Sequence, residues 1–431
     1  MSIDRLIIER ATITAGDGEL KYDISTSISD VTIYEHIDKP YLTGAVTFLD
    51  TFGVLDQVKF KGLEEFFFVA KFPEDASPPI NTKFVIDAVI DTSKNNDNSE
   101  LVTLHFIEEI GFISSFLNVN KAYTGSSREI IEKITSEYFP DVTISKGDED
   151  EAKYPMQLVV PNMTPLAAAN WIKDKTTSTF GTPYYLFSCL GQNKLLHFLP
   201  LSSLIGSTPV DKREYRYSQS TSQNSQKRSA KASDQYYDIK SYDQAPLEIT
   251  KLIEEGLISS IQGYWDTALG WDQGTQFEVE NTIAQVPNFS RDNFKFNNKY
   301  TWKDEPLNKL KSRKQYAIHT SYPYPDNFSF REFENLNRTL TSKALRNILV
   351  TGALNVSVSG RNFALKDKNR TLGNLIKLRF LNNQTPTVTT SLDDVTDKVK
   401  SGKHLIYAVR HNIRIERYDV TLTCVKLENL K

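Results

Sequence analysis

The sequence has few of the residues on which cross-linked, metal-binding and membrane-spanning proteins depend. Only two of its 431 residues are cysteine, Cys189 and Cys424, and they form no CxxC pair. This excludes a disulfide framework and a cysteine-based zinc site. No apolar run approaches the roughly 18 residues that a membrane helix needs. The start, MSIDRLIIER, is too charged for a signal peptide. We therefore expect no membrane insertion, and synthesis in a cytoplasm.

Common catalytic motifs are missing as well. The chain contains no GxSxG, GxxxxGK, GxGxxG or HExxH pattern, so the usual nucleophile, phosphate and zinc motifs are absent. The acidic run DEDE at 148–151 lacks the glycine and the spacing of a calcium loop, which favours a solvated loop. Carboxylate pairs that cleave glycosidic bonds follow no spacing rule, so 54 acidic residues say nothing about them. We predict no catalytic, cofactor-binding or metal site.

One polar segment is locally basic. Residues 218–235, SQSTSQNSQKRSAKASDQ, are rich in Ser and Gln and predict a flexible loop. This loop and its flank carry six cations, namely Lys212, Arg213, Arg216, Lys227, Arg228 and Lys231. A solvated connector is favoured over a nucleic-acid contact because no groove-reading element lies nearby. The net charge of -3 also argues against a chain that coats nucleic acid.

Aromatic residues and alternating patterns are abundant in the first part of the chain. The 24 Phe and 20 Tyr favour sheets. Residues 1 to about 115 contain at least five strand-like runs without a helix, which predicts a small closed or strongly curled barrel. The apolar parity changes between Ile28 and Val31, which predicts a bulge near Asp30 or a strand break. The turn DKP at 38–40 then predicts a long hairpin.

The period changes to that of a helix after residue 118. Ser126 and Glu129 predict a capping box for the helix in SSREIIEKITSEYF. Thr164 and Pro165 predict the N-cap and first position of a second helix. The runs PYYLFSCL and KLLHFL follow as a strand pair, so Cys189 is predicted to be a buried structural thiol. Much later, SFREFENLNRTLTSKALRNILV is the best helix pattern in the chain, with a second capping box at Ser329 and Glu332.

The closing stretch HLIYAVRHNIRIERYDVTLTCV, residues 404–425, collects two histidines, three arginines and one cysteine. His404 and His411 are seven residues apart, so a regular strand places them on opposite faces. They then cannot share a metal or a substrate. We predict an exposed His404, a half-buried His411 and a Cys424 that packs in a hairpin.

Several segments, taken in order, resemble one family. DVTIYEHIDKPYLTGAVTFLD fits a hairpin pattern iyE.I..P.l.G...i.D, and Gly62 and Glu64 fit the i.G.E strand that follows it. VVPNMTPLAAANWIKDK, YDIKSYDQAPLEITKLIEEGLISS, GRNFALKDKNRTLGNLIKLRF and the closing stretch follow in the expected order. This set resembles the central baseplate hub proteins of contractile-tailed (T-even-like) phages, of the type without a fused spike. It covers most of the chain except residues 275–325.

The resemblance implies a mainly β (α+β) fold with two tube-type antiparallel β-barrels in one chain and smaller mixed α/β inserted domains. We predict a first barrel at 1–118 and a small α/β domain at 119–206. The second barrel is expected at 207–274, with the flexible loop 218–235, and at 351–431. An irregular and helical insertion is expected at 275–350.

The implied function is structural. Hub proteins of this type form a homotrimeric ring that joins a threefold central spike to the sixfold tail tube of the virion, without catalysis or a cofactor. The implied partners are the spike protein and a tail tube or tube-initiator protein, with tape-measure and baseplate wedge proteins as further candidates. A tail-associated cell-wall hydrolase and the hub of a phage-derived bacterial injection system are the alternatives. The candidate assembly hairpin comprises Val31, Ile33, Tyr34, Glu35, Tyr41, Leu42 and Phe48.

Overall fold

The computed structural model describes residues 6–428 except for 17, 19, 59, 74–79, 97, 146–155, 179–180, 218–235, 247–248, 255–259, 267–269, 272–274, 278–300, 307–309, 311–312, 320–331, 364–369, 382–395 and 416. The acidic run at 148–151, the loop 218–235 with Lys227, Arg228 and Lys231, and the capping residue Ser329 lie outside the described residues. None of the described helices is both long enough and apolar enough to cross a membrane.

Alternating apolar residues build the first sheet. Its elements are β1 (Ile7–Thr14), β2 (Lys21–Asp23), β3 (Ile28–His36), β4 (Thr43–Asp50), α1 (Val54–Val58), β5 (Glu65–Lys71), β6 (Ile80–Asn96), β7 (Ser99–Glu108) and α2 (Glu109–Ser114). Phe66, Phe84 and Phe106 pack in its core, with ring centroids 4.4 to 5.2 Å apart. The predicted bulge near Asp30 is confirmed, since the register against β4 shifts between Ile28 and Asp30.

A small α/β unit follows. It contains β8 (Ala122–Gly125), α3 (Ser127–Tyr138), β9 (Thr143–Ile144), β10 (Met156–Val159), α4 (Pro165–Lys175), β11 (Tyr184–Ser188), β12 (Leu195–Pro200) and α5 (Leu201–Ile205). The capping box is confirmed, because Ser126 Oγ accepts from the Glu129 amide and the Glu129 side chain accepts from the Ser126 amide. Thr164 is the N-cap of α4, with Pro165 at its first position. The two helices pack over a hydrophobic cluster of their own.

The rest of the chain contains the second barrel and a small separate sheet. The elements are β13 (Glu214–Tyr217), β14 (Tyr236–Gln244), α6 (Ile249–Glu254), β15 (Ser260–Asp266), β16 (Gly270–Trp271), β17 (Thr275–Phe277), β18 (Thr301–Trp302), β19 (Glu305–Pro306), β20 (Arg313–His319), α7 (Glu332–Val350), β21 (Leu354–Ser359), β22 (Leu375–Phe380), β23 (Gly402–Arg414) and β24 (Arg417–Glu428). The predicted long helix is confirmed as α7. Strands β15, β16, β17 and β20 form the separate sheet.

Six strands close into a barrel in the order β23-β22-β13-β14-β21-β24, because β24 pairs back onto β23. The pairs that β13 makes with β14 and β22 are parallel, and the other four pairs are antiparallel. The mainly β fold is thus confirmed. The domain boundaries stay predictions.

One strand pair joins the first sheet to this barrel. The first sheet runs β2-β1-β5-β6-β7-β4-β3, and β3 then pairs antiparallel with β23 from Val31↔Ile413 to His36↔Ala408. The result is a continuous sheet of 13 strands, with one hydrophobic cluster reaching from the first sheet into the barrel. The hairpin β3–β4 therefore lies at the centre of the molecule.

The prediction for the two closing histidines was wrong. His404 and His411 are 0% and 1% exposed, rather than exposed and half-buried. The register of β23 against β24 shifts between Ile406 and Ala408, and this bulge reverses the alternation. Both histidines therefore lie on one face of β23, opposite Lys426 and Val420 of β24.

The two cysteines follow their prediction. Cys189 and Cys424 are both free and buried. Burial raises the pKa of each thiol well above its usual value. Both residues belong to the main hydrophobic cluster, so they serve packing.

Candidate assembly site

The residues of the candidate assembly hairpin face the interior of the chain for the most part. Buried members are Val31, Ile33, Glu35, Leu42 and Phe48. Tyr41 is half-buried against the α/β unit, and Tyr34 is 42% exposed. Both edges of β3 are paired, one with β4 and the other with β23. Within one chain, the hairpin is thus the element that joins the two sheets.

A buried polar chain crosses this junction. Glu35 Oε1 lies 2.6 Å from His411 Nε2, and His411 Nδ1 lies 2.8 Å from the Tyr418 hydroxyl. The pairing of β3 with β23 and of β23 with β24 brings these three residues together from distant parts of the sequence. Burial, followed by the nearby Glu35 carboxyl, raises the pKa of Tyr418 well above its usual value. The other carboxyl oxygen, Glu35 Oε2, has no hydrogen-bond partner among the described residues.

Carboxyl, imidazole and phenol groups in a row could relay a proton in an open site. Here Glu35, His411 and Tyr418 are at most 1% exposed, so a substrate cannot touch them. In the described part of the chain, no group of three or more His, Cys, Asp or Glu side chains could hold a metal ion. The arrangement instead fixes the register of β3 on β23, because a one-residue slip between these two strands would separate Glu35 from His411.

The sequence alone did not reveal this chain of groups. The hub pattern included Glu35, and the closing stretch drew attention to His411, but nothing in either segment indicated that they meet. The separation of 376 residues is bridged only by the strand pairing. A signal did exist, since a glutamate and a histidine that each stand among apolar strand residues need a buried partner.

A second carboxyl group connects the hairpin to the α/β unit. Glu108 Oε2 accepts a hydrogen bond from the Leu42 amide at 2.9 Å, and Ser188 of β11 also donates to this carboxyl group. Burial of the carboxyl raises the pKa of Glu108 to about 7, although the hydrogen bonds from Leu42 and Ser188 oppose the rise. The Ser188 amide reaches the Lys39 carbonyl at 3.4 Å. Glu108 is therefore a titratable contact between two structural units.

Stability should depend on pH through Glu108. The pKa of Glu108 in the folded chain, about 7, lies above its ordinary value of 4.5. The folded chain therefore binds the carboxyl proton more tightly than the unfolded chain does, and the free energy of unfolding rises as the pH falls from 7 towards 4.5. Glu108→Gln should remove this gain and stabilise the chain at pH 8 by about 1 to 3 kcal/mol. Urea unfolding of both proteins at pH 5, 6, 7 and 8 measures how the free energy of unfolding depends on pH. Glu109→Gln, at the exposed neighbour, is the control, and equal pH slopes for Glu108→Gln and wild type would contradict the prediction.

Ion pairs hold a third element at the hairpin turn. Lys173 of α4 is buried and pairs with Asp38 of the turn. Arg346 of α7 pairs with Asp174, lies 3.7 Å from Asp38 Oδ2 and donates to the Tyr184 carbonyl at 2.6 Å. The turn, the α/β unit and α7 thus meet in one charged cluster that restrains their relative positions.

The remaining residues of the hub pattern stabilise loops. Glu64 is buried, and its carboxylate accepts from the amides of Lys61, Gly62 and Leu63 at 2.7 to 3.1 Å. Gly62 has φ +91°, which a side chain would disfavour. Asp50 accepts in the same way from the amides of Phe52, Val54 and Leu55, at the start of α1. These acids are therefore structural and need no substrate to explain them.

Known proteins share this fold at low sequence identity. No family model matches the chain, and no curated protein does. A tail protein from Neisseria meningitidis matches over 97% of this chain and 96% of its own, with a TM-score of 0.53 and 12% identity. The 43 kDa tail protein of prophage MuSo2 from Shewanella oneidensis matches over 97% and 98%, with a TM-score of 0.49 and 8% identity.

A component of the type VI secretion system of E. coli, described as structurally similar to the T4 bacteriophage tail proteins gp27 and gp5, also matches. It covers 98% of this chain and 77% of its own, with a TM-score of 0.44 and 9% identity. At such identities the likeness concerns the fold. The chain has the fold of the Neisseria tail protein, and the mainly β fold expected from the hub resemblance is confirmed.

Proposed function

We propose that the chain is a structural subunit of a phage tail baseplate, and that three copies form the hub ring between the central spike and the tail tube. One observation carries this proposal. A seven-stranded sheet and a closed six-stranded barrel lie in one chain and are joined edge to edge by the pairing of β3 with β23. Three such chains provide six sheet units around a threefold axis, which is the symmetry needed between a threefold spike and a sixfold tube.

The proposed role needs no catalysis. The most enzyme-like arrangement in the described residues, Glu35 with His411 and Tyr418, is sealed from solvent. The long strand pairings, the carboxylates of Glu64 and Asp50 that bind loop amides, and the charged cluster at Asp38 all restrain the backbone. Such features suit a subunit that carries mechanical load between two partners.

The proposed partners are the spike protein and the tail tube or tube-initiator protein of the same virion. Tape-measure and wedge proteins are further candidates from the hub resemblance. Among the seven candidate assembly residues, the exposed one is Tyr34, whose ring lies 5.6 Å from the Arg410 guanidinium. An aromatic ring beside an arginine is a common composition for a binding surface. We propose that Tyr34 and Arg410 form the part of the hairpin surface that contacts a partner protein.

The purified chain should form a trimer. Mass photometry is expected to show a species of three times the chain mass of 49.1 kDa. The trimer should persist on dilution because interfaces of obligate assemblies are large. A stable monomer that also clears a peptidoglycan suspension in a turbidity assay would contradict the structural role and favour a cell-wall hydrolase. A reconstruction of the purified particle would then show whether this chain lies between tube and spike.

A further inference from the structure

Strand β6 has a long open edge. It runs from Ile80 to Asn96, but β5 pairs with it only from Ile80 to Val85. The amide of Ile86 still bonds to the Glu64 carbonyl. Beyond that point, β7 is the one described strand that pairs with β6. The backbone groups on the β5 side of residues 87–94 are therefore available to another strand.

This outer edge of β6, residues 87–94, is also unusually exposed. Every residue in it is exposed to solvent, so neither face of the strand is covered. Val89 and Ile90 are 40% and 57% exposed, and Leu101 beside them on β7 is 37% exposed. Leu63, which is 61% exposed, precedes Glu64, whose carbonyl accepts the last hydrogen bond on the β5 side of β6. Apolar side chains beside unpaired backbone are the features that β-strand addition uses.

The strand is shaped for specific pairing. Its register against β7 shifts between Ile86 and Ala88 and again between Val89 and Asp91. Bulges of this kind, together with the charges of Asp87, Asp91 and Lys94, discourage indiscriminate association of edges. Asp87 is held by His105 at 2.6 Å, which fixes the strand where it leaves β5. A partner strand must match these bulges.

The other edges of the first sheet are used or short. Strands β5, β7, β4 and β3 each pair with a neighbour on both sides, and the outer side of β3 is taken by β23 of the same chain. Strand β1 pairs with β5 along its length, and β2 covers its other side at Thr12–Thr14. The terminal strand β2 has three residues. The chain already joins its first sheet to its barrel by pairing strand edges, and a ring of copies needs a further edge for the next copy.

We infer that the outer edge of β6 is the surface through which one copy of this chain contacts a second copy in the hub. The inference rests on the proposed trimer and adds the place of contact. A strand or extended segment of the neighbouring copy adds to residues 87–94 and covers Val89 and Ile90. Such a contact joins two different surfaces head to tail, and it gives a closed ring of three when each copy is rotated by one third of a turn from the last.

The double variant Val89→Lys with Ile90→Lys tests this contact. Lysine on an edge strand opposes pairing, so the dissociation constant of the trimer should rise by about tenfold or more, as measured by mass photometry over a dilution series. Circular dichroism should remain that of wild type because both positions are exposed. Ile415→Lys is the matched control, since Ile415 is 58% exposed on the turn between β23 and β24, and it should leave the trimer intact.

Thiol labelling gives an independent measurement. Cys189 and Cys424 are buried with raised thiol pKa values, so the cysteine introduced by Ile90→Cys should be the reactive one. A maleimide should label it about tenfold more slowly in the trimer than in dissociated chains, whereas the thiol of Ile415→Cys should react equally in both. A trimer in which the Ile90→Cys thiol reacts as fast as in the monomer would overturn the inference, as would undiminished trimer in the lysine variant. A wild-type chain that remains monomeric would instead contradict the proposed hub function.

Discussion

Glu35→Ala should lower the free energy of unfolding by about 3 to 5 kcal/mol, the range for removing one partner of a buried pair. The carboxyl group lies 2.6 Å from His411 in a fully buried position. Its removal leaves the buried imidazole without this partner, and an unsatisfied buried group carries a desolvation penalty. Because Glu35 lies on β3 and His411 on β23, the loss falls on the pairing of the first sheet with the barrel.

The midpoint of urea unfolding measures this effect, with tryptophan fluorescence as the signal. Asp30→Ala is the matched control on the same strand. Asp30 also pairs with a residue of β23, Arg414, at 3.1 Å, but that arginine side chain is 65% exposed, so its loss should cost less than about 1 kcal/mol. Glu35→Gln, which keeps an oxygen acceptor, should fall between the two. Equal midpoints for Glu35→Ala and Asp30→Ala would show that the buried contact does not stabilise the junction.

Local patterns predicted local structure well. Alternation located the strands of the first sheet, and the residue spacing identified the capping box at Ser126 and the bulge near Asp30. These features depend on residues a few positions apart, where side-chain geometry is set by the element itself. The burial of Cys189 and Cys424 followed from their apolar strand neighbours in the same way.

Features that depend on strand pairing were not predictable in this way. The bulge between Ile406 and Ala408 reversed the faces of β23, and no residue near it marks the change. The contact of Glu35 with His411 depends on a register that only the folded sheet defines. The open edge of β6 likewise results from the point at which β5 ends, so the sequence KFVIDAVI at 83–90 gave no sign that one side of the strand would be unpaired beyond it.

The hub pattern contains a glycine whose role the packing explains. Gly44 lies in β4, where it pairs with Ile33 of β3 on one side and Phe106 of β7 on the other. A Cβ atom at this position would come closer than 3.0 Å to the Thr32 carbonyl oxygen and to Cζ of Phe106. The ring of Phe106 is itself fully buried among Phe66 and Phe84, so it has little room to move.

Gly44→Ala should therefore destabilise the chain by about 3 kcal/mol or more, at the upper end for overpacking, because one of the two clashing atoms belongs to the backbone. Soluble yield and the urea midpoint measure the loss. Gly206→Ala is the control, since its added Cβ would be 3.4 Å from its nearest neighbour, and it should change stability by less than about 0.5 kcal/mol. Adding Phe106→Leu to Gly44→Ala should restore only part of the loss, because a smaller side chain relieves the ring contact and leaves the Thr32 carbonyl in place. Full recovery in that double variant would mean that the glycine is required by the aromatic core alone, and not by the close approach of β3 and β4.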